Sequence, residues 1–218
     1  ILHYAIEEKY DIYAISFNYG QRHLDAETVC AIAQAGIVAK EHKLLDLSFF
    51  KQIVTGSALT NNNIDVAKTK DVLGDPQTVN YVPNRNMMML SICTAYAESV
   101  GADTVFHGAA LVDSQAGFWD GSLEFLEAIN NINKLNRRNK ITIEAPLINK
   151  SKKEIIELGL ELNINFSSTW TCYEGKSKAC GECTACSSRI KGFIDAGYID
   201  PIPYKQNIPW DQFNCKKI

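Results

Sequence analysis

Four cysteines lie close together near the carboxyl terminus, and they limit what this region can fold into. Cys172, Cys180, Cys183 and Cys186 follow the pattern C-x7-C-x2-C-x2-C. Two C-x2-C turns that share Cys183 can direct several sulfurs to one point about 2.3 Å away, and Cys172 then completes a tetrahedron. Because four sulfurs leave no open coordination position, the spacing predicts a structural zinc site rather than a catalytic one.

Disulfide bonds and an iron–sulfur cluster are the two other uses of such cysteines. Disulfides need an oxidising compartment. The opening of the sequence, where Glu7, Glu8 and Lys9 follow a short apolar stretch, does not resemble a secretory signal, so we expect a reduced, cytoplasmic protein. Spacing alone leaves ligation of an iron–sulfur cluster open. Cys30 and Cys93 lie within apolar helical patterns, and we interpret them as small core residues.

The composition is that of an ordinary globular protein, with 46% hydrophobic and 22% charged residues among 218. No apolar run approaches the ~20 residues of a membrane span. A net charge of −3 argues against broad nucleic-acid binding, which depends on an excess of lysine and arginine. The length suits a nucleotide-binding domain over residues 1–165, followed by a small zinc-binding region and tail over residues 166–218.

Helical and strand patterns alternate along the chain. Helices are predicted at residues 2–9, 24–35, 86–100, 122–134 and 151–162, and strands at residues 12–17, 38–47, 104–107 and 141–145. The helix at residues 24–35 would place the apolar residues Val29, Ile32 and Ala33 on a common face, whereas residues 57–80 and 108–121 are predicted to be irregular. The alternation predicts an α/β fold with a doubly wound, mostly parallel sheet, in which ligands bind at the carboxyl ends of the strands.

The beginning of the sequence does not match the usual beginning of such a sheet. A doubly wound sheet starts with a central strand, a glycine-containing turn and a helix. This sequence starts within the pattern of that first helix, so we expect the first strand and the phosphate-binding turn to precede Ile1. Without that strand its neighbours would keep unpaired backbone groups. We therefore interpret the chain as lacking roughly 15–20 residues of the natural protein.

Four motifs occur in an order that matches a known family. They are residues 17–23 (FNYGQRH), residues 81–86 (YVPNRN), residues 108–113 together with Asp120, and the four cysteines. From residue 2 to about residue 199 the chain resembles the 7-cyano-7-deazaguanine synthases, or QueC family. The resemblance implies a Rossmann-like enzyme of the PP-loop class, which is similar to the adenine-nucleotide alpha hydrolases.

One family motif is absent from the sequence. The family's Ser-Gly-Gly-x-Asp-Ser loop would stand directly before Ile1. Backbone N–H groups of that loop, together with the helix behind it, form the anion nest for the nucleotide phosphates. The resemblance therefore implies that this chain alone is inactive and that restoring the loop would restore turnover.

The motif at residues 17–23 is the first part of the site that the resemblance implies. Tyr19, Gln21, Arg22 and His23 follow a predicted strand, at the sheet edge where ligands bind. The resemblance makes all four site-lining residues, and His23 is a candidate acid or base. A plain polar connection between a strand and a helix is the alternative interpretation.

Arg85, Asn86 and Lys152 each lie at the start of a predicted helix. A cation at the positive end of a helix is unfavourable unless an anion compensates for it, which favours a phosphate or carboxylate ligand at Arg85. Related nucleotide-cleaving enzymes place a lysine at the position of Lys152, pointing at the pyrophosphate. The resemblance implies catalytic roles for Arg85 and Lys152 and a binding role for Asn86. A solvated lysine is the alternative at Lys152.

Residues 108–120 correspond to the segment that recognises the deazaguanine base in the resembling enzymes. The family pattern is matched at Gly108, Asp113, Gly117, Phe118 and Asp120. Trp119 replaces the family's proline, and Ser122 stands where a basic residue is common. A carboxylate can accept hydrogen bonds from the N–H edge of a guanine-like ring, and Phe118 or Trp119 can stack on that ring. An ordinary polar surface loop is the alternative.

The resemblance implies an ATP-dependent ligase that converts 7-carboxy-7-deazaguanine and ammonia to 7-cyano-7-deazaguanine, a precursor of queuosine and archaeosine. ATP with magnesium and a structural zinc are the implied cofactors. The implied partners are these small molecules and a second copy in a homodimer, not nucleic acid or a membrane. Two alternatives stay open: a related PP-loop enzyme such as a tRNA thiolation enzyme, and a nonenzymatic zinc module that binds nucleic acid or protein.

Overall fold

The computed structural model describes residues 1–36, 38–71 and 78–218. The α-helices are α1 (Leu2–Glu7), α2 (Leu24–Ala35), α3 (Phe50–Ile53), α4 (Arg85–Val100), α5 (Leu111–Gln115), α6 (Leu123–Asn133), α7 (Lys152–Glu161) and α8 (Thr184–Ala196). The strands are β1 (Tyr13–Asn18), β2 (Glu41–Asp46), β3 (Thr104–Phe106) and β4 (Thr142–Glu144), and 3₁₀ turns lie at Thr69–Asp71, Trp119–Gly121, Phe166–Ser168 and Trp210–Phe213. Among the described residues, no helix has both the length and the apolar character needed to cross a membrane.

The strands form two parallel pairs. β1 pairs with β2 in a register that sets Phe17 opposite Leu45. β3 pairs with β4 in a register that sets Val105 opposite Ile143. Parallel strands need a crossover connection, and helices lie between the paired strands in sequence: α2 in the first case, α5 and α6 in the second. The predicted α/β fold with parallel strands is confirmed.

The described chain divides into two compact units. Pro83–Ser151, together with Ile1, forms the central unit. Leu2–Val82 and Lys152–Ile218 form the cysteine unit, which contains β1, β2 and the four cysteines. The division of the chain after residue 165 stays a prediction.

An apolar core holds the central unit together. Its buried members come from α4, β3, α6 and the segment around β4: Leu90, Ala97, Val105, Phe125, Ile129, Ile141 and Ile143. Cys93 packs against this core, and burial raises the pKa of its thiol to about 11. A thiol with this pKa stays protonated and inert at neutral pH, as expected for a core cysteine.

Both ends of α4 follow from local sequence signals. Gly101 adopts φ +75° after the last helical residue, and its N–H bonds back to the carbonyls of Ala97 and Glu98. Glycine takes this left-handed backbone conformation without steric cost, so the helix ends there. Asn84, before the first helical residue, has φ +55° and makes no side-chain capping bond. Asparagine is among the few residues that tolerate this conformation.

The apolar face predicted on α2 is exposed. Val29 is 68% exposed and Ile32 is 57% exposed, and Ala33 is exposed as well. The helix instead packs through its other side, where Gln34 bonds to His3 and to the carbonyl of Ser168. The apolar positions Val29 and Ile32 therefore do not mark the side of α2 that packs on the described part of the chain.

Residues 108–121, predicted to be irregular, contain α5 and the turn Trp119–Gly121. At the start of α5, Asp113 Oδ2 accepts a hydrogen bond of 2.8 Å from the N–H of Ala110. The described part of residues 57–80 is irregular as predicted, apart from the turn Thr69–Asp71. Residues 72–77 of that prediction lie outside the described residues.

Replacing Asn130 by alanine should lower the free energy of unfolding by about 2 kcal/mol, because two backbone groups would lose their partner. The Asn130 amide accepts from the N–H of Ile143 at 2.8 Å and donates to its carbonyl at 2.9 Å. It thus serves as one more pairing partner for β4. Urea denaturation measures the change. Asn131→Ala is the matched control, since Asn131 is exposed, and a similar loss in both variants would contradict the assigned role.

Candidate active site and metal centre

The four cysteines predicted as metal ligands form one buried cluster in the cysteine unit. Their Sγ atoms all lie within 4.8 Å of one another, and the Sγ atoms of Cys180 and Cys186 are 3.8 Å apart. A tetrahedral site with metal–sulfur distances of about 2.3 Å has edges of about 3.8 Å, so this spacing fits one zinc ion. A multi-iron cluster would spread its ligands further apart. All four cysteines carry free thiols rather than disulfides.

Backbone N–H groups point at these sulfurs. The Sγ atom of Cys172 accepts from the N–H of Cys180 at 3.2 Å, and that of Cys180 accepts from Cys183 at 3.2 Å. The Sγ atom of Cys183 accepts from the N–H of Cys186 at 3.4 Å and thereby caps α8. Gly181, with φ +84°, allows the tight turn between Cys180 and Cys183. Such donors stabilise negative charge on sulfur, as a thiolate–metal site requires.

The electrostatics of the cluster also fit a cation. Hydrogen bonds from the neighbouring thiols, first from Cys172, lower the pKa of Cys180. The neighbouring sulfurs, again with Cys172 first, raise the pKa of Cys186. The four thiols therefore cannot all ionise together unless a positive charge lies among them. A divalent metal would supply that charge.

Lys68 and Thr69, in the irregular segment that begins at Ser57, contact the part of the chain that carries this cluster. Lys68 forms an antiparallel bridge with Cys183, and its Nζ lies 2.8 Å from a carboxylate oxygen of Glu182. Thr69 Oγ1 donates to the hydroxyl of Ser187 at 2.7 Å. The segment at residues 182–187 therefore holds Lys68 and Thr69, which lie far earlier in the sequence.

A sharp turn at the end of β1 carries the first predicted binding motif. Tyr19 and Gln21 are buried, and Gly20 adopts φ +84° between them. Gln21 Oε1 accepts from the N–H of Tyr19 at 2.9 Å, and Gln21 Nε2 donates to the carbonyl of Phe17 at 2.9 Å. The Gln21 amide thus stabilises the turn of its own chain.

Arg22 holds the irregular segment that begins at Ser57 through two of its backbone carbonyls. Its Nη2 donates to the carbonyl oxygens of Asn61 and Ile64 at 2.9 and 2.8 Å. Across residues 1–36, 38–71 and 78–218, its buried Nε has no hydrogen-bond partner and no carboxylate forms an ion pair with it. A guanidinium held only by neutral carbonyls keeps its charge uncompensated, which favours a nearby anion.

His23 lies where the motif at residues 17–23 meets the loop that follows Cys172. It is 2% exposed, and its Nε2 lies 3.5 Å from a carboxylate oxygen of Glu27. Its ring centroid is 5.6 Å from that of Tyr173. A Cβ on Gly175 would come within 2.5 Å of the His23 Cα, so the loop after Cys172 packs directly on the motif.

Lys152 begins α7 within the cysteine unit. A Cβ on Gly192 would lie 2.8 Å from the Lys152 Cβ, so α7 and α8 approach closely at this point. Because α8 starts at the cysteine turn, the cluster also fixes the backbone that carries Lys152.

In the central unit, Arg85 begins α4 and lies among charged groups. Its Nε donates to the Asn86 side-chain oxygen at 3.2 Å. Burial raises the pKa of Asp120, and the Arg85 guanidinium opposes this shift. Asp120 lies within electrostatic range of Arg85, although the sequence pattern shows no anion beside this arginine. Protein carboxylates therefore supply part of the compensation that was assigned to a ligand.

His107 is a further member of this group that sequence analysis missed. Burial lowers the pKa of His107, Asp113 raises it and Arg85 lowers it further, so all three residues share one neighbourhood. A neutral imidazole results at neutral pH. The usable signal was its position, since His107 is the first polar residue beyond β3, at the carboxyl end where ligands bind.

Two close contacts shape the segment predicted to recognise a base. A Cβ on Gly121 would lie 2.6 Å from the Asp113 Cβ, so α5 and the Trp119–Gly121 turn pack tightly. The Trp119 ring packs edge-on against Phe125 with centroids 5.2 Å apart, and Trp119 remains 39% exposed. Phe118 lies between Gly117, with φ +83°, and this tryptophan.

The predicted site residues divide between the two units. The cysteine unit contains Tyr19, Gln21, Arg22, His23, Lys152, Cys172, Cys180, Cys183 and Cys186. The central unit contains Arg85, Asn86, Gly108, Asp113, Gly117, Phe118 and Asp120. The roles of these residues in binding and catalysis stay predictions.

Comparisons with known proteins identify similar chains. A family model described as "Queuosine biosynthesis protein QueC" matches residues 1–197. A 7-cyano-7-deazaguanine synthase of Oceanobacillus iheyensis is 41% identical over 91% of this chain and 89% of its own length. Enzymes of the same name from Thermoplasma volcanium and Marinomonas sp. are each 38% identical over 94% of this chain, covering 86% and 92% of their own lengths.

Proposed function

Because the chain belongs to the QueC family of queuosine biosynthesis proteins, we propose that it is a 7-cyano-7-deazaguanine synthase. One observation carries the proposal: the family match over residues 1–197 includes every residue assigned to the site. The reaction joins ammonia to 7-carboxy-7-deazaguanine at the expense of ATP and yields the nitrile.

The chemistry requires two activations. A carboxylate does not react with ammonia because its oxygen is a poor leaving group, so ATP first converts it to an acyl anhydride. Ammonia displaces the phosphorus-linked oxygen and gives an amide. A second activation of the amide oxygen, followed by its departure with loss of the nitrogen-bound protons, gives the nitrile. No covalent enzyme nucleophile is required, so positioning and charge neutralisation are the protein's main contributions.

In the central unit, we assign phosphate binding to Arg85 and base recognition to the segment around Asp113. The guanidinium of Arg85 offers planar, paired donors for phosphate oxygens. Asp113 and Asp120 can accept from the N–H edge of the base, and Phe118 supplies a stacking surface. Gly108 and Gly117 let the backbone approach the ligand closely, and Asn86 supports the Arg85 side chain through their hydrogen bond.

In the cysteine unit, Arg22 and Lys152 carry the positive charge that a nucleotide needs. The Arg22 charge is uncompensated within the described residues, which supports an anion-binding role. His23 is the candidate proton carrier, because an imidazole is the side chain that most often serves as a general acid or base. Tyr19 and Gln21 keep the turn in shape through buried contacts.

Two inorganic cofactors complete the proposal. Cys172, Cys180, Cys183 and Cys186 would hold a structural zinc ion, whose positive charge would allow all four thiols to ionise. A magnesium ion bound with ATP would neutralise phosphate charge. We further propose a cytoplasmic homodimer whose partners are small molecules rather than nucleic acid or a membrane, and light scattering tests the dimer.

The activity test uses the protein expressed from its natural gene, including any residues before Ile1. Incubation with 7-carboxy-7-deazaguanine, ammonium and ATP should yield 7-cyano-7-deazaguanine, with the amide as a transient species detected by mass spectrometry. Omitting ATP or ammonium should abolish the product. Transfer of sulfur to tRNA without nitrile formation would contradict the proposal and favour a thiolation enzyme.

A further inference from the structure

A buried ion pair lies beside the cysteine cluster. Arg189, on α8, donates from Nε to Asp200 Oδ2 at 2.6 Å and from Nη2 to Asp200 Oδ1 at 2.8 Å. The side chains of Arg189 and Asp200 are 8% and 0% exposed. This two-bond geometry between a guanidinium and a carboxylate is strong and directional, so it fixes both segments relative to each other.

The ion pair is extended on both sides by further hydrogen bonds. Arg189 Nη1 donates to Thr169 Oγ1 at 2.9 Å. The hydroxyl of Tyr204 donates to Asp200 Oδ2 at 2.7 Å, and the N–H of Ile202 donates to Asp200 Oδ1 at 3.3 Å. The network therefore joins the segment before Cys172, helix α8 and the tail after residue 198.

Each of these three segments leads to the metal ligands. The chain continues from Thr169 through Trp170, whose indole N–H donates to the carbonyl of Cys172 at 2.8 Å. Helix α8 is capped by Cys183 and contains Cys186. The tail pairs with Ala179, the neighbour of Cys180, through bonds of 2.9 and 2.8 Å to Pro203 and Lys205.

The tail also covers the cluster. Ile202 belongs to the buried apolar group around the four cysteines, and Tyr204 packs against that group. Asp200 and Tyr204 lie beyond residue 197, where the match to the family model ends.

We propose that Asp200 and Tyr204, acting through Arg189, position the four sulfurs and slow the loss of the metal. This inference rests on the proposed zinc site. A metal ion leaves when its ligands separate one by one, and each separation must move a segment that the network holds. Partners of this kind outside the ligand set commonly change metal affinity about 10–100-fold when removed.

The test compares two tyrosine variants of the full chain loaded with Zn²⁺. Tyr204→Phe removes only the hydroxyl that bonds Asp200. Tyr198→Phe is the matched control, since within the described residues the Tyr198 hydroxyl makes no hydrogen bond. We expect zinc transfer to a chromogenic chelator to be about tenfold faster in Tyr204→Phe, with a similar loss of Zn²⁺ affinity, and unchanged in Tyr198→Phe.

Asp200→Asn should have the larger effect, because it removes the charge that compensates Arg189. Urea denaturation separates positioning from a general role in stability. A merely structural bond would destabilise the metal-free and the zinc-loaded protein equally, whereas a positioning role adds a further loss in the zinc-loaded protein. Equal release rates and affinities in Tyr204→Phe and wild type would overturn the positioning role alone. Failure of the wild-type chain to bind Zn²⁺ would overturn the proposed metal site and this inference with it.

Discussion

Replacing Arg85 by alanine should lower kcat for nitrile formation by about 10²–10³-fold, the usual loss when one preorganised donor to a developing charge is removed. Arg85 stands at the start of the sixteen-residue helix α4, where the helix dipole and the guanidinium act on an anion in the same direction. Asp120 lies within electrostatic range of this cation. Steady-state kinetics with the protein expressed from its natural gene measure the loss.

One further variant shows whether the positive charge of Arg85 is sufficient or whether the paired N–H donors of its planar guanidinium are needed, and a second variant is the control. Arg85→Lys retains the charge but not the paired donors, so we expect partial activity and a raised KM for ATP. Arg138→Ala is the control, because Arg138 is exposed and lies outside the proposed site. Near-normal kcat in Arg85→Ala, with a normal circular dichroism spectrum, would remove Arg85 from the mechanism.

Elements with signals inside their own sequence could be predicted. α4 was placed to within one residue because Gly101 ends it with a backbone that glycine alone adopts freely. The cysteine cluster could also be predicted from a local signal, because C-x2-C turns fix the relative directions of neighbouring sulfurs. The parallel strands followed from the alternation of strand and helix patterns.

Features set by distant contacts could not be predicted. Val29 on α2 is exposed, and Gln34 on the same helix pairs with His3 and Ser168, which no local pattern shows. The carbonyl partners of Arg22 lie about forty residues further along the chain. Sequence periodicity gives the face of a helix but not which neighbour covers it.

The charged neighbours of residues at the candidate site also depend on contacts between residues that are distant in sequence. The helix dipole favours an anion beside Arg85, but no local pattern shows that the fold brings Asp120 within range of this arginine. His107 was missed because one polar residue after a short strand resembles an ordinary strand end. Burial, which sets its lowered pKa, depends on the packed unit rather than on neighbouring sequence.

Replacing Cys183 by serine should abolish zinc binding and lower the free energy of unfolding by about 3–5 kcal/mol, because structural metal binding is coupled to folding. Serine is well suited to this test. Cys183 caps α8 by accepting the N–H of Cys186, and serine is one of the best residues at that position. The variant therefore keeps the helix cap and removes a metal ligand, so a loss of stability reports the metal.

The metal-free wild-type protein should reproduce this loss, since chelation removes the same ion without changing the sequence. Cys215→Ser, outside the cluster, should retain both the metal and the stability of the wild type. Elemental analysis gives the metal, and denaturant titration gives the stability. Brown colour with iron instead of zinc would favour an iron–sulfur cluster. Equal stability of Cys183→Ser and zinc-loaded wild type would instead mean that close packing of the buried thiols, rather than a metal, holds this part of the chain together.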